Sequence, residues 1–277
     1  MRFALLVPWL VMFSVACSVG SDDRDGSLAE PLAGGGETAE VWRPALGTSW
    51  QWQLAGLPID TSYDVEAYDV DLFDSQPSLI DALHDDGRIV ICYFSAGSWE
   101  SFRPDADQFP DVTRGSPLEP PFEDELWLDI RDSTVRALMI ARLNRAESLG
   151  CDAVEPDNVD GYANENGHGL SAEDQLDFNR FIAAEAHERG LSVGLKNDLD
   201  QLDALADHFD WALNEECVSF EECDAYADNF VAQNKAVFHV EYVDPGRIDE
   251  VCAVTGPLGF STLIKDIELD ADRVACP

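Results

Sequence analysis

The apolar positions of the chain fall into short runs separated by stretches of helical periodicity. Runs at Trp50–Leu54, Val65–Val70, Ile89–Phe94, Ala153–Asp157, Leu191–Lys196, Trp211–Glu215, Ala236–Tyr242 and Ser261–Lys265 predict strands. Several, such as Ile89-Val90-Ile91-Cys92-Tyr93, are continuous rather than alternating, which indicates strands covered on both faces and hence a parallel sheet. Between them, Val135, Leu138, Met139 and Ala146 make a helical stripe ended by Gly150. Phe178, Phe181, Ile182 and Ala186 make another, opened by a Ser171–Asp174 capping pair and stopped by Gly190. Repeated strand–helix units without a glycine-rich phosphate turn predict an α/β fold of the (β/α)8 TIM-barrel type. Glu125–Ile130 predicts a short accessory strand. Residues 100–125 carry five prolines and read as a long loop after the third strand, on the face where such barrels place their sites.

The N-terminus departs from this rhythm. Arg2 followed by the apolar stretch Phe3–Phe13 predicts an export signal over residues 1–16, too short to span a membrane. Ser14-Val15-Ala16-Cys17 resembles a bacterial lipoprotein cleavage box, which would make Cys17 a lipidated first residue and the only membrane contact. Residues 17–41 hold three consecutive glycines and several acids, which predicts a flexible tether ahead of one barrel domain over 42–277. The six remaining cysteines suit an exported, oxidising setting. Their expected pairs are Cys217–Cys223 first, then Cys252–Cys276, and third Cys92–Cys151, with the alternative that these last two stay free and buried. None shows the spacing of a thiolate metal site.

Charge narrows the partners. The chain has 55 acidic and 17 basic residues, a net charge of −38. Such a surface repels phosphate and excludes nucleic acid as a natural partner, while it attracts a cationic ligand or polymer. Ionisable residues also recur where the strand runs stop: Asp69 and Asp71, Tyr93 and Ser95, Glu155 and Asp157, Lys196 and Asn197, Asn214 and Glu215, Glu241 and Tyr242, Lys265 and Asp266. In a parallel barrel these ends converge on one rim, which is costly to build for stability alone. A carboxylate-rich rim with no cofactor motif points to glycoside hydrolysis, which needs one carboxylic acid and one carboxylate. Trp50, Trp52, Tyr93, Trp99, Trp127, Tyr162 and Tyr242 offer rings for stacking on sugars. No cofactor or metal is expected: the Asp157–Gly161 stretch fails the calcium-loop pattern, because Pro156 falls on the first ligand position.

The blocks Ile91–Glu100, Glu155–Tyr162, Leu195-Lys196-Asn197, Asn214–Cys217 and Val240-Glu241-Tyr242 together resemble glycoside hydrolase family 114, the endo-α-1,4-polygalactosaminidase family. The resemblance runs from about Trp50 to the C-terminus. It implies a TIM barrel, a cationic galactosamine polysaccharide as substrate, and Asp157 and Glu215 as the catalytic carboxylates. Asp69, Tyr93, Trp99, Glu155, Asn158, Asp160, Tyr162, Lys196, Asn197, Glu241 and Tyr242 are the expected substrate contacts. Asp157 is expected to be the ionised nucleophile and Glu215 the acid/base, with the roles exchangeable. A monomer is expected. The competing reading is a non-catalytic surface lipoprotein that holds cationic sugars or polyamines without cleaving them.

Overall fold

The computed structural model describes residues 41–277. The expected export signal, Cys17 and the tether up to Glu40 lie outside the described residues. Eight parallel strands follow in sheet order: β1 (Trp50–Gln53), β2 (Ala67–Asp71), β3 (Ile89–Ser95), then β7 (Ala153–Asp157), β8 (Ser192–Lys196), β9 (Trp211–Glu215), β10 (Val237–Glu241) and β11 (Ser261–Ile264). A two-residue antiparallel strand, β12 (Val274–Ala275), lies on β11. The intervening numbers belong to an insertion after β3 that forms its own antiparallel sheet: β4 (Ser98–Glu100), β5 (Arg114–Pro117) and β6 (Glu125–Leu128). The sheet curls into a (β/α)8 barrel, and the Trp50 indole donates to the Ser261 carbonyl at 2.9 Å, tying β1 to β11.

Helices α1 (Pro77–Asp85), α2 (Ser133–Leu149), α3 (Ala172–Glu188), α4 (Leu202–Leu205), α5 (Cys223–Asn229) and α6 (Ile248–Leu258) occupy the later crossovers. Among the described residues the β1–β2 connection is irregular rather than helical. Helix α3 starts on the expected capping box, in which the Ser171 hydroxyl accepts from the Asp174 amide and the Asp174 carboxylate accepts from the Ser171 amide. Residues 100–125 are more than a loop: two 3-10 turns and β5 break them up, and β6 pairs antiparallel to β4 and β5. Helix α2 anchors this insertion through buried Arg142, which donates twice to Asp105 at 2.9 Å.

Strand alternation divides the core in two. One set of side chains, including Trp50, Trp52, Ile91, Trp211, Phe238 and Leu263, fills the lumen. The other, including Val70, Phe94, Val154, Val193 and Leu195, packs outward against the helices. Trp211 lies across β8, and a Cβ on Gly194 would stand 2.3 Å from its ring, so only glycine admits the indole there. All three expected disulfides form. The Cys252–Cys276 bridge ties the tail to α6, and Cys217–Cys223 closes the loop after β9.

Candidate active site

The lumen-facing side of each strand decides what reaches the rim. On β7 that side carries Ala153, Glu155 and Asp157, and on β9 it carries Trp211, Leu213 and Glu215. On β8 it carries Gly194 and Lys196. Parallel register sets these strands side by side, so the Lys196 ammonium falls between three carboxylates. Its Nζ lies 2.9 Å from Glu155, 3.1 Å from Asp157 and 3.3 Å from Glu215, and 4.8 Å from the centroid of the Trp52 ring. Burial would drive the ammonium down, but the charges of Asp157, Glu155 and Glu215 hold it well above the usual lysine range.

Asp157 and Glu215 are held alike. Asp157 accepts from the Tyr93 hydroxyl at 3.1 Å and from the Asn158 amide at 2.7 Å. Glu215 accepts from the Asn197 side-chain amide at 3.1 Å and from the Tyr242 hydroxyl. The backbone turns sharply just past β7 and β8, with Asn158 at φ 58° and Asn197 at φ 45°. The Asn158 carbonyl would stand 1.7 Å from a Cβ at Gly97, so glycine there lets the end of β3 pass beside Asp157. Since Asp157 and Glu215 each offer an oxygen to the same nitrogen, those oxygens lie no further apart than 3.1 and 3.3 Å laid end to end.

Both acids open into a cleft of about 500 Å³. Of the expected contact residues, Tyr93, Asn158, Asp160, Lys196, Asn197 and Tyr242 line it with them. Five others do not. Asp69 and Glu155 lie one layer deeper in the lumen and are fully buried. Burial, then the charge of Glu155, pushes Asp69 well up the carboxyl scale; burial likewise takes Glu155 to about 7. Glu241 falls on the outward face of β10, because Tyr242 next to it takes the lumen side. There it accepts from the Val218 amide at 2.7 Å, the Ser219 hydroxyl at 2.7 Å and the His239 ring at 3.1 Å. It therefore pins the loop after Glu215 rather than meeting a substrate. Trp99 points away from the cleft, its indole donating to the Ala106 carbonyl at 3.0 Å and its face covered by Arg114. Tyr162 packs against the outer core from a 3-10 turn.

The cleft also has walls that the strand ends did not announce. Beside the strand-end Asp71, Asp74, Phe102, Arg103, Glu119, Phe122, Glu125 and Trp127 line it, most of them from the insertion. Arg103 is buried and grips Glu100 at 2.7 Å through two nitrogens and Asp71 at 2.6 Å. The period-2 alternation of Glu125 and Trp127 along β6 was the available signal for that wall.

The fold recurs in solved structures. Residues 34–277 match the model of glycoside-hydrolase family GH114. The chain belongs to glycoside hydrolase family 114. It is a glycoside hydrolase of the endo-acting kind. Its fold superposes on Aspergillus fumigatus Ega3, solved in complex with galactosamine, with a TM-score of 0.82 and 42% sequence identity over 87% of this chain and 100% of that one. The glycoside hydrolase domain of PelA from Pseudomonas aeruginosa shares the fold at a TM-score of 0.66 and 15% identity, covering 82% of this chain and 98% of that one. No curated protein sequence matches significantly.

Proposed function

We propose that this protein is an exported glycosidase that cleaves internal α-1,4 linkages of a galactosamine-containing polysaccharide, with Asp157 and Glu215 as its carboxylate pair. The observation that carries this reading is the shared ammonium of Lys196, which holds both acids side by side at the floor of an open, acid-lined cleft. The galactosamine bound to the 42%-identical Aspergillus fumigatus Ega3 supports the sugar class. Net charge of −38 supports a polycationic chain as substrate.

In this mechanism one acid protonates the leaving glycosidic oxygen while the other attacks the anomeric carbon. Water then displaces the enzyme from the sugar, giving its proton to the first acid. The shared contact with Lys196 caps the separation of one oxygen of each acid, and a retaining pair stands roughly 5–5.5 Å apart against roughly 6.5–9.5 Å for an inverting one. Each acid accepts three donors of matching kinds, so the geometry treats them as equals. The match to the family's carboxylates supports the pair; we take Asp157 as nucleophile and Glu215 as acid/base, with the roles exchangeable. Lys196 and its neighbouring donors hold both groups in place through the charge changes, an electrostatic contribution made before the substrate arrives.

Three disulfides support an oxidising compartment. The export signal over 1–16, lipidation of Cys17, a tether over 17–41 ahead of one barrel domain and a monomeric state complete the reading. The test is incubation of the purified protein with α-1,4-linked galactosamine polymer. New reducing ends on mid-length fragments are expected. Retention of the polymer with no new ends would favour a binding protein instead.

A further inference from the structure

The seam between the first and last barrel strands is closed by something other than a ladder. Among the described residues β1 and β11 share no backbone pairing. Residues 266–272 run along that seam as a strap, from the end of β11 toward β12, and several donors take its carbonyls. Leu269 accepts from the amides of Leu54 and Ala55 at 2.9 and 3.2 Å, and Ala271 accepts from the Gln51 side chain at 2.8 Å. From the other side comes Lys265, which ends the β11 run and is only 5% exposed. Its Nζ donates to the carbonyls of Asp270 and Asp272, each at 2.9 Å. Among the described residues it makes no ion pair, so its partners are the strap's backbone. Burial takes the ammonium down to about 8, but a neutral amine still has two N–H groups, one for each carbonyl. Between these anchors the strap turns back on itself. Asp266 accepts from the Glu268 amide at 3.3 Å through its carboxylate and from the Leu269 amide at 3.0 Å through its carbonyl. That turn brings Ile267, Glu268 and Leu269 into the lining of the cleft beside Leu54 and Ala55, while Lys265 itself stays outside the lining.

We infer that Lys265 is a positioning residue, holding the strap by two carbonyls so that Ile267 and Leu269 form an apolar wall for a sugar of the bound chain. This rests on the glycosidase reading and adds to it a residue outside the cleft. A lysine buried without a carboxylate costs stability, and an apolar side chain would fill the seam without that cost. What the amine adds is a fixed path for the strap's backbone. Ile267 is still 38% exposed on that path, open to a ligand rather than packed away. None of the donors to Asp157 or Glu215 comes from the strap. The wall therefore acts on how the chain is held, in ground state and transition state alike, which is felt in KM rather than in kcat.

The experiment measures kcat and KM on the α-1,4-linked galactosamine polymer for wild type, Lys265→Met and Ile267→Ala. Amide hydrogen exchange at Leu54 and Ala55 reads the strap directly, and a melting curve checks each fold. Methionine keeps an unbranched stem and drops the donors. Lys265→Met is expected to raise KM about tenfold, the worth of two lost hydrogen bonds, with kcat within about twofold of wild type and faster exchange at both amides. Ile267→Ala trims an exposed side chain and leaves the anchors alone, so it is expected to raise KM with those amides still protected. Unchanged exchange in Lys265→Met overturns the assignment. So does faster exchange at an unchanged KM, or a loss in kcat with KM unmoved. If Lys265→Met does not fold, Ile267→Ala decides: an unchanged KM refutes the wall. Failure of the substrate reading shows separately, as wild type that leaves the polymer intact, and the exchange comparison then still decides whether Lys265 holds the strap.

Discussion

Two buried cations organise the rim of this barrel, and they are built to opposite ends. Arg103 answers two carboxylates, Asp71 and Glu100, whose side chains are only 6% and 3% exposed, and its guanidinium stacks on Phe73 and Phe102. Lys196 answers three, of which Glu155 is sealed while Asp157 and Glu215 keep 18% and 23% of their side-chain surface open to the cleft. The Arg103 cluster carries one formal negative charge in excess, and its carboxylates are sealed. It uses a planar, bidentate group that holds the insertion against β2. The Lys196 cluster carries two in excess and is open. Buried ion pairs of the first kind fix geometry at little net gain in stability. Those of the second kind keep their oxygens oriented yet accessible, and under the proposed function their excess charge would suit both a developing cationic sugar and an amine-bearing polymer. Access, more than the mere presence of paired acids, separates the cluster proposed to react from the structural one.

The difference can be broken at either cation. Lys196→Met is expected to have the largest effect, lowering kcat by a hundredfold or more and destabilising the fold by about 3–5 kcal/mol, since Glu155 then lacks its partner in the lumen. Activity assays with denaturant unfolding check both. Arg103→Leu is expected to cost a similar about 3–5 kcal/mol while kcat falls far less than for Lys196→Met. Comparable kcat losses in the two variants would erase the distinction. On the open side, the Cys217–Cys223 bridge braces the loop that follows Glu215. Replacing both with serine is expected to lower stability by about 2 kcal/mol, read from denaturant midpoints.

The smallest effect is a pH slope. Asp198, buried behind the open cluster at φ 56°, has its carboxyl raised to about 8, first by burial and then by the charge of Asp160. A group whose folded value is raised binds more protons folded than unfolded. Its contribution is therefore full below the unfolded value of 3.8 and is lost as pH climbs through about 8. Asp198→Asn does not titrate, so its Tm is expected to exceed wild type by a few degrees at pH 8 and to converge with it near pH 4. A gap that widens toward acid pH would reverse the sign and sink the assignment.

Most of the barrel was legible because its strands are buried on both faces. Continuous apolar runs located β7 and β9 to the residue and the other barrel strands to within one or two. Asp157, Lys196 and Glu215 followed from the residues that end those runs. Glu241 was misplaced although strand parity was available to correct it: with Tyr242 facing the lumen, its neighbour faces the helices. The insertion was the least readable part. Its strands are three or four residues long, and their pairing depends on distant anchors such as Arg142 to Asp105. Local pattern therefore revealed neither the Arg103 cluster nor the exposure of Glu125 to the cleft.

The most direct test is the kcat/KM of Asp157→Asn and Glu215→Gln on a deacetylated galactosamine oligomer, measured beside their melting temperatures. Both substitutions keep shape and hydrogen bonding while removing the acid. Each is expected to lose on the order of a thousandfold or more in turnover, with Tm within a few degrees of wild type. Near-normal turnover by either variant would contradict the open cluster as the reacting pair and move the chemistry to Asp160 or Glu155.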